Sequence, residues 1–297
     1  MTGLLSQRVA IVTGAGRGLG RAHALALARN GARVVVNDLE ATSAGQVCEE
    51  IVQRGGEAVG STANVQDVGA IEAMVGLALR RWGQVDILVN NAGILRDRTF
   101  AKLDLADFRL VLDVHVMGSV NCTKAVWPHM KERSYGRVIF TTSSSGLYGN
   151  FGQSAYSAAK MALVGLMQTL ALEGVRHGIH VNCLAPSAAT QMTHDLWSPE
   201  DLAALDPQRV SPAVVALASE AAPNKQVVLA GAGSFKLAHV TMTRGAYLAD
   251  DRLSAEELLA HWGQISDRAG ERVPATGFEQ YRFEADQALA GAAHIER

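Results

Sequence analysis

The chain has 297 residues, 48% of them hydrophobic and 19% charged, with a net charge of −2; it can bury a large core, and no basic run interleaved with aromatics argues for nucleic acid. The N-terminus shows no basic stretch leading into a long apolar run, and no uninterrupted apolar run reaches the roughly 18 residues of a membrane span, so neither secretion nor a spanning segment is expected. Cys48, Cys122 and Cys183 are odd in number and far apart, which reads as buried thiols in a reducing, cytoplasmic setting.

Residues 8–13 (RVAIVT) form a short apolar run, followed by GAGRGLG and by RAHALALARNGA, which has helical spacing and a glycine stop at Gly31. This is strand, glycine turn, helix. The glycines Gly14, Gly16, Gly18 and Gly20 do not give G-x-G-x-x-G, but Thr-Gly-x-x-x-Gly-x-Gly follows the same logic. Glycines let the backbone approach a pyrophosphate, and the helix start supplies N–H groups and a positive dipole. The next strand, 32–37, ends in Asp38. An acidic residue there accepts hydrogen bonds from an adenosine ribose and repels a 2′-phosphate, favouring NAD over NADP. Arg17 argues the other way, because a guanidinium beside the turn can pair with that phosphate.

Helices at 42–54, 68–82, 104–131 and 154–177 alternate with strands at 57–62, 85–89, 136–142 and 180–184, and 227–230 is the last strand. Repeated βα units with continuous apolar strands predict a doubly wound α/β sheet of the Rossmann type, covered by helices on both faces. Small residues follow the strands in GAGRGLG, NVQD, NNAG, SSSG and APSAAT, so the strand ends are expected to form one crevice. Within it, Ser143 ends a strand, and Tyr156 and Lys160 lie one turn apart on a helix face. A phenol titrates near pH ~10, and a neighbouring ammonium favours the phenolate, so the lysine is expected to lower the tyrosine's pKa. The set suits proton transfer to or from an alcohol, with the serine hydroxyl holding the substrate oxygen.

TGAGRGLG, Asp38, NNAG, Ser143, Tyr156-x-x-x-Lys160 and the Asn182/Pro186 segment, in this order, resemble the short-chain dehydrogenase/reductase family across roughly residues 6–235. The resemblance implies hydride transfer between a nicotinamide and a carbinol carbon. Tyr156 would be the acid/base, Ser143 would polarise the substrate oxygen, and Lys160 would bind the nicotinamide ribose. Cofactor contacts would fall on Gly14, Arg17, Gly18, Leu19, Gly20, Asp38, Asn64, Val65, Asn91, Ala92, Gly93, Tyr156, Lys160, Pro186, Ala188 and Thr190. Family analogy further implies a homodimer or homotetramer built through the long helices.

Three positions depart from the family pattern. His115, in DVHVMG, replaces an asparagine whose backbone carbonyl is thought to serve the proton relay; a packed helix histidine is the alternative. Ser187 stands where a glycine usually follows the proline, and Thr190 is displaced by one. The histidines show no metal spacing, no Cys-x-x-Cys pair supports zinc, and no G-x-S-x-G elbow supports a hydrolase.

Residues 187–212, with Met192, Trp197, Pro199, Leu202 and Leu205, read as a partly apolar lid over the crevice or as a surface excursion. The chain is expected to divide into a catalytic domain, 1–235, and an extension, 236–297, packed on the same domain or a neighbouring subunit. In the extension, Ser254-Ala255-Glu256-Glu257 starts one helix through LLAHWGQI, and 278–290 forms another that presents Phe278, Tyr281 and Phe283. GAGSFKLAHVTMTRGAYL, DVHVMG and APSAATQMT are similar to the (3R)-hydroxyacyl-CoA dehydrogenase unit of the peroxisomal multifunctional β-oxidation enzymes of type 2. The expected substrate is therefore a secondary alcohol or its ketone, foremost a 3-hydroxyacyl-CoA. A steroid or other hydrophobic alcohol is the rival enzyme reading, and a non-catalytic nucleotide sensor or scaffold is the rival from another class.

Overall fold

The structure, a computed structural model, describes residues 3–188 and 199–295. It divides into two compact units, Met1–Ala238 and His239–Arg297.

The first unit begins β1 (Val9–Thr13), α1 (Gly18–Arg29), β2 (Arg33–Asn37), α2 (Ala41–Gln53), β3 (Ala58–Ser61), α3 (Val68–Trp82) and β4 (Ile87–Asn90). It continues with α4 (Leu105–Leu112), a π-helical turn (Asp113–Met117), α5 (Gly118–Glu132), β5 (Gly136–Thr141), α6 (Ser144–Tyr148), α7 (Ser154–Gly174) and β6 (Ile179–Ser187). After α8 (Pro199–Ala204) and α9 (Ser211–Ala218) come β7 (Val227–Gly231) and β8 (Ser234–Ala238). The strands form one sheet in the order β3-β2-β1-β4-β5-β6-β7-β8, parallel except for β8. Every residue of β1, β4 and β5 is buried, which explains why these strands read as unbroken apolar runs rather than alternating ones. The order reverses between β1 and β4, and the crevice outside the carboxyl ends of such strands is where doubly wound sheets bind ligands.

Three features of this unit differ from the sequence expectation. β7 is not the last strand. Ala232 and Gly233 both take positive φ, 50° and 78°, and make a two-residue turn that folds β8 back antiparallel. The single long helix expected over 104–131 is interrupted, since the Gly118 N–H reaches back five residues to the Asp113 carbonyl and makes the π turn. The end of the expected lid, residues 211 and 212, belongs to a buried helix, α9, packed on α1. Met192 and Trp197 lie outside the described residues.

Helix α7 with its 3₁₀ extension, Ser154–His177, is long and apolar enough by composition alone to cross a membrane. Its apolar face packs on β5 and β6, as the core helix of a sheet protein does.

The second unit holds α10 (Ala255–Ala260), α11 (Trp262–Ile265) and α12 (Phe278–Ile295). Ser254 caps α10 by accepting the Glu257 N–H at 3.1 Å, as expected. The helix then breaks at His261, whose ring nitrogen lies 2.8 Å from the Glu257 carbonyl, so two short helices replace the one expected. Phe278 and Tyr281 are exposed, whereas Phe283 stacks under Arg272 at 4.3 Å.

Thr13 ties the two strand ends that frame the crevice. Its Oγ1 accepts the backbone N–H groups of Asn91 and Ala92 at 3.0 and 3.1 Å. Thr13→Val keeps the shape and strands two donors, so it should lower the unfolding free energy by roughly 2 kcal/mol, whereas Thr13→Ser should restore most of it. Urea denaturation of both variants measures this; a valine variant as stable as wild type would show that the tie is immaterial.

Candidate active site

The turn between β1 and α1 is shaped to admit a phosphate. Gly14 and Gly18 have φ of 61° and 54°. A Cβ on Gly20 would collide with the Gly14 carbonyl and lie 2.6 Å from the Asn91 amide, so only glycine lets the three segments meet. No side chain caps α1, and Arg17 stands at its N-cap with Leu19 inside the first turn. First-turn N–H groups without a side-chain cap are what a pyrophosphate would take. Asp38 closes the far wall. Its carboxylate accepts the N–H groups of Gly16 at 2.9 Å and Glu40 at 3.1 Å, which fixes it at the end of β2 beside the glycine turn.

The other predicted cofactor residues gather along the same strand ends. Asn64 accepts the Gln66 N–H, and buried Val65 accepts the Asn121 amide at 3.2 Å while packing against the bare α-carbon of Gly118. Asn91 donates to the carbonyls of Thr13 and Gly14 at 3.0 and 3.1 Å, pinning the Asn91–Ala92–Gly93 loop to the glycine turn. Pro186 pairs with Ala230 near the end of β6, and Ala188 follows it, buried. Thr190 lies outside the described residues.

Ser143 and Tyr156 meet at the end of β5. Ser143 N-caps α6, accepting the Ser145 N–H at 3.2 Å, and stands beside the Tyr156 phenol, whose ionised form its hydroxyl favours. Lys160 is 3% exposed. Its Nζ donates to the Thr141 carbonyl at 2.6 Å and sits 5.4 Å from the centre of the tyrosine ring, while Thr142 Oγ1 donates to the Lys160 carbonyl at 2.6 Å.

The electrostatics reverse the sequence expectation. Burial raises the Tyr156 pKa above its usual 10, the Ser143 hydrogen bond lowers it, and Asp97 raises it again. Burial also pushes Lys160 down to about 7. The expected lowering of the phenol by an ammonium needs a charged lysine, and desolvation of both groups works against it. In this site the hydrogen bond from Ser143 is what favours the phenolate.

His115 is 2% exposed. The π turn presents its ring to Gly93, where any Cβ would collide with it, and edge-on to Tyr156 with ring centres 5.4 Å apart. Nε2 lies 2.8 Å from the Ile94 carbonyl and 3.1 Å from the Ile94 N–H, while Nδ1 is buried without a hydrogen-bond partner. Burial and the charge of Lys160 hold its pKa near 3, so the ring is neutral and no acid at neutral pH. Its backbone carbonyl accepts Ser119 Oγ at 2.6 Å. Among the described residues no three His, Cys, Asp or Glu side chains come together to hold a metal.

Thr13, Thr141 and Ser119 were missed from the sequence. Thr13 carried a signal, as a hydroxyl at the strand end before the glycines; Thr141 acts through a backbone carbonyl and carried none.

Residues 8–201 match the family model for short chain dehydrogenase. A short-chain type dehydrogenase/reductase of Mycobacterium tuberculosis is 44% identical over 91% of this chain and 97% of its own. The full-length peroxisomal multifunctional enzyme type 2 of Drosophila melanogaster superposes with a TM-score of 0.83 at 37% identity, over 96% of this chain and 50% of its own, so this chain spans about half of that enzyme. A 7α-hydroxysteroid dehydrogenase complexed with NADH and 7-oxo glycochenodeoxycholic acid superposes with a TM-score of 0.73 at 30% identity, over 78% of this chain and 96% of its own. The chain belongs to the short-chain dehydrogenase family and is an oxidoreductase of that family, whose cofactor is a nicotinamide dinucleotide.

The buried lysine has a measurable cost. With a folded pKa of about 7 against the ordinary 10.5, the unfolded chain binds more protons between those values, so this group's contribution to stability rises with pH from about 7. Below pH 7 both states are protonated and the full penalty of burying the ammonium remains. Lys160→Met should therefore raise the Tm most at pH 6, with a gap to wild type that narrows as pH climbs from 7 to 10, while turnover is lost. Calorimetric melting of both proteins across this range checks it, and a variant less stable than wild type at pH 6 would contradict the assignment.

Proposed function

We propose that this chain is an NAD-preferring dehydrogenase that interconverts a 3-hydroxyacyl thioester, foremost a coenzyme A thioester, and its 3-oxo form. The observation that carries the reading is the convergence of Ser143, Tyr156 and buried Lys160 at the end of β5, beside the glycine turn and Asp38. The glycine turn and first turn of α1 would hold the pyrophosphate, Asp38 the adenosine ribose, and the Asn91–Gly93 loop with Lys160 the nicotinamide half. When bound, the nicotinamide supplies a hydride acceptor or donor. Tyr156 takes the hydroxyl proton of the alcohol as the carbonyl forms, and returns it in the reverse direction. Ser143 gives its one hydroxyl proton to the phenolate in the free site and to the substrate oxygen once the alcohol is bound. Lys160, near its titration point, can carry the proton onward.

Asp38 supports NAD. Its carboxylate is fixed beside Gly16, where a 2′-phosphate would meet like charge. The thioester reading is supported by the similarity to peroxisomal multifunctional enzyme type 2 across nearly the whole chain. The likeness to a hydroxysteroid dehydrogenase keeps a steroid alcohol as the second reading.

The chain also pairs with a second copy of itself through α7 in this proposal. Met161 and Leu172 on that helix and Val175 in its 3₁₀ extension are 41%, 47% and 53% exposed, and Gly165 between them has no atom within 4 Å of where its Cβ would stand.

Two measurements decide these points. NADH formation from a medium-chain (3R)-hydroxyacyl-CoA should proceed with NAD at least about tenfold better than with NADP, and Tyr156→Phe should lower kcat by roughly 10²–10⁴ with NADH binding retained; undiminished turnover in that variant would sink the mechanism. Sedimentation of wild type at micromolar concentration should give a dimer or tetramer, and Gly165→Glu a monomer; a wild-type monomer would refute the pairing.

A further inference from the structure

The rim of the crevice carries cations and aromatic rings that no catalytic step uses. The Arg98 N–H donates to the Gly152 carbonyl at 2.9 Å, and the Gln153 amide donates to Asp97 at 2.6 Å. These bonds join the stretch that follows Gly93 to the loop that leads into the Tyr156 helix, so the two form one edge of the site. On that edge Phe100 is 76% exposed and Phe151 89%. Rings so exposed cost solvation without contributing to the core, and grouped at a site they mark a binding surface.

The charges of this stretch are unevenly committed. Asp97 is engaged by Gln153, Asp104 by the Ala106 N–H at 2.8 Å, and Asp107 by Arg96 at 3.3 Å. The Arg98 side chain donates only to the neighbouring Asp97 carbonyl, and neither it nor Lys102 has a carboxylate partner among the described residues. Arg98, Phe100 and Lys102 alternate cation, ring and cation along the chain, Arg98 standing just before the 3₁₀ turn Phe100–Lys102. That footprint suits a compact ligand with several phosphates and one flat base. A carrier protein would need a contact of about 800 Å² on each side.

We propose that this rim binds the phosphorylated adenine-nucleotide end of a coenzyme A thioester, with Arg98 and Lys102 on its phosphates and Phe100 and Phe151 against the purine. The assignment rests on the thioester reading above. It gives the enzyme an anchor remote from the reacting carbon, so that binding energy from the nucleotide positions the 3-hydroxyl at Tyr156.

The test compares kcat/KM for a 3-hydroxyacyl-CoA with that for the same acyl group on N-acetylcysteamine, which lacks the nucleotide, in wild type and in Arg98→Ala/Lys102→Ala. Wild type should favour the CoA thioester by about tenfold or more, the size of one or two charge-assisted hydrogen bonds, and that ratio should fall toward one in the double variant and at high salt. A general folding defect would lower both substrates together and leave the ratio unchanged, which overturns the proposal. So does a wild-type ratio near one, which leaves the thioester reading standing. Turnover of neither thioester by protein that binds NADH removes the thioester reading and the anchor with it. A preference for the same acyl group on an acyl carrier protein over CoA, lost in the double variant, would assign the rim to an acidic protein instead.

Discussion

The site depends on a two-way lock between β5 and α7. Lys160 gives its ammonium to the Thr141 carbonyl, and Thr142 gives its hydroxyl to the Lys160 carbonyl, each at 2.6 Å. One bond fixes the side chain and the other fixes the helix that carries it, so Tyr156, one turn earlier, is held over Ser143 at the mouth of the strand. The lock is dry, and dryness strengthens both bonds. It also makes an ammonium expensive, which is why the lysine titrates near neutrality instead of standing as a permanent charge. A proton that leaves Lys160 easily is useful to an enzyme that must move one between an alcohol and water.

The sequence showed which residues would meet and left out what holds them. Parallel strands buried on both faces read as apolar runs, and glycine turns and the Tyr156/Lys160 spacing are local signals, so β1 to β7 and the serine, tyrosine and lysine were legible. β8 was not, because four of its five residues are exposed and its cause is the backbone sign of Ala232 and Gly233. The Thr141 contact runs through a carbonyl that any residue could supply. The direction of the tyrosine's pKa was misjudged for a related reason: sequence spacing reports the proximity of a charge but not the burial that removes it.

His115 illustrates how one substitution is absorbed by its surroundings. An imidazole is larger than the asparagine amide of the family pattern, and it fits because Gly93 offers no Cβ and the π turn rotates the ring towards that gap. The same turn leaves the His115 carbonyl to the Ser119 hydroxyl. A ring kept neutral by burial cannot compete with Tyr156 for the reacting proton. It packs edge-on against the phenol and bonds to the backbone just after the Asn91–Gly93 loop, so it links the cofactor wall to the acid/base without titrating.

The unit 1 site therefore combines two opposite environments within one strand end. Lys160 and His115 are sealed and depend on single hydrogen bonds of fixed geometry, which leaves His115 Nδ1 unpartnered as part of the cost. A few residues away, Arg98, Phe100 and Phe151 stand open to water. Rigid, desolvated chemistry needs the first arrangement, because a shift of an ångström in the acid/base would be costly. Capturing a long, charged substrate of the kind proposed would need the second, because a handle must be reachable before it is bound. The bonds from the Gln153 amide to Asp97 and from the Arg98 N–H to the Gly152 carbonyl are where the two environments are fastened together, and in the proposal it is through them that binding energy at the open rim would reach the helix that carries Tyr156.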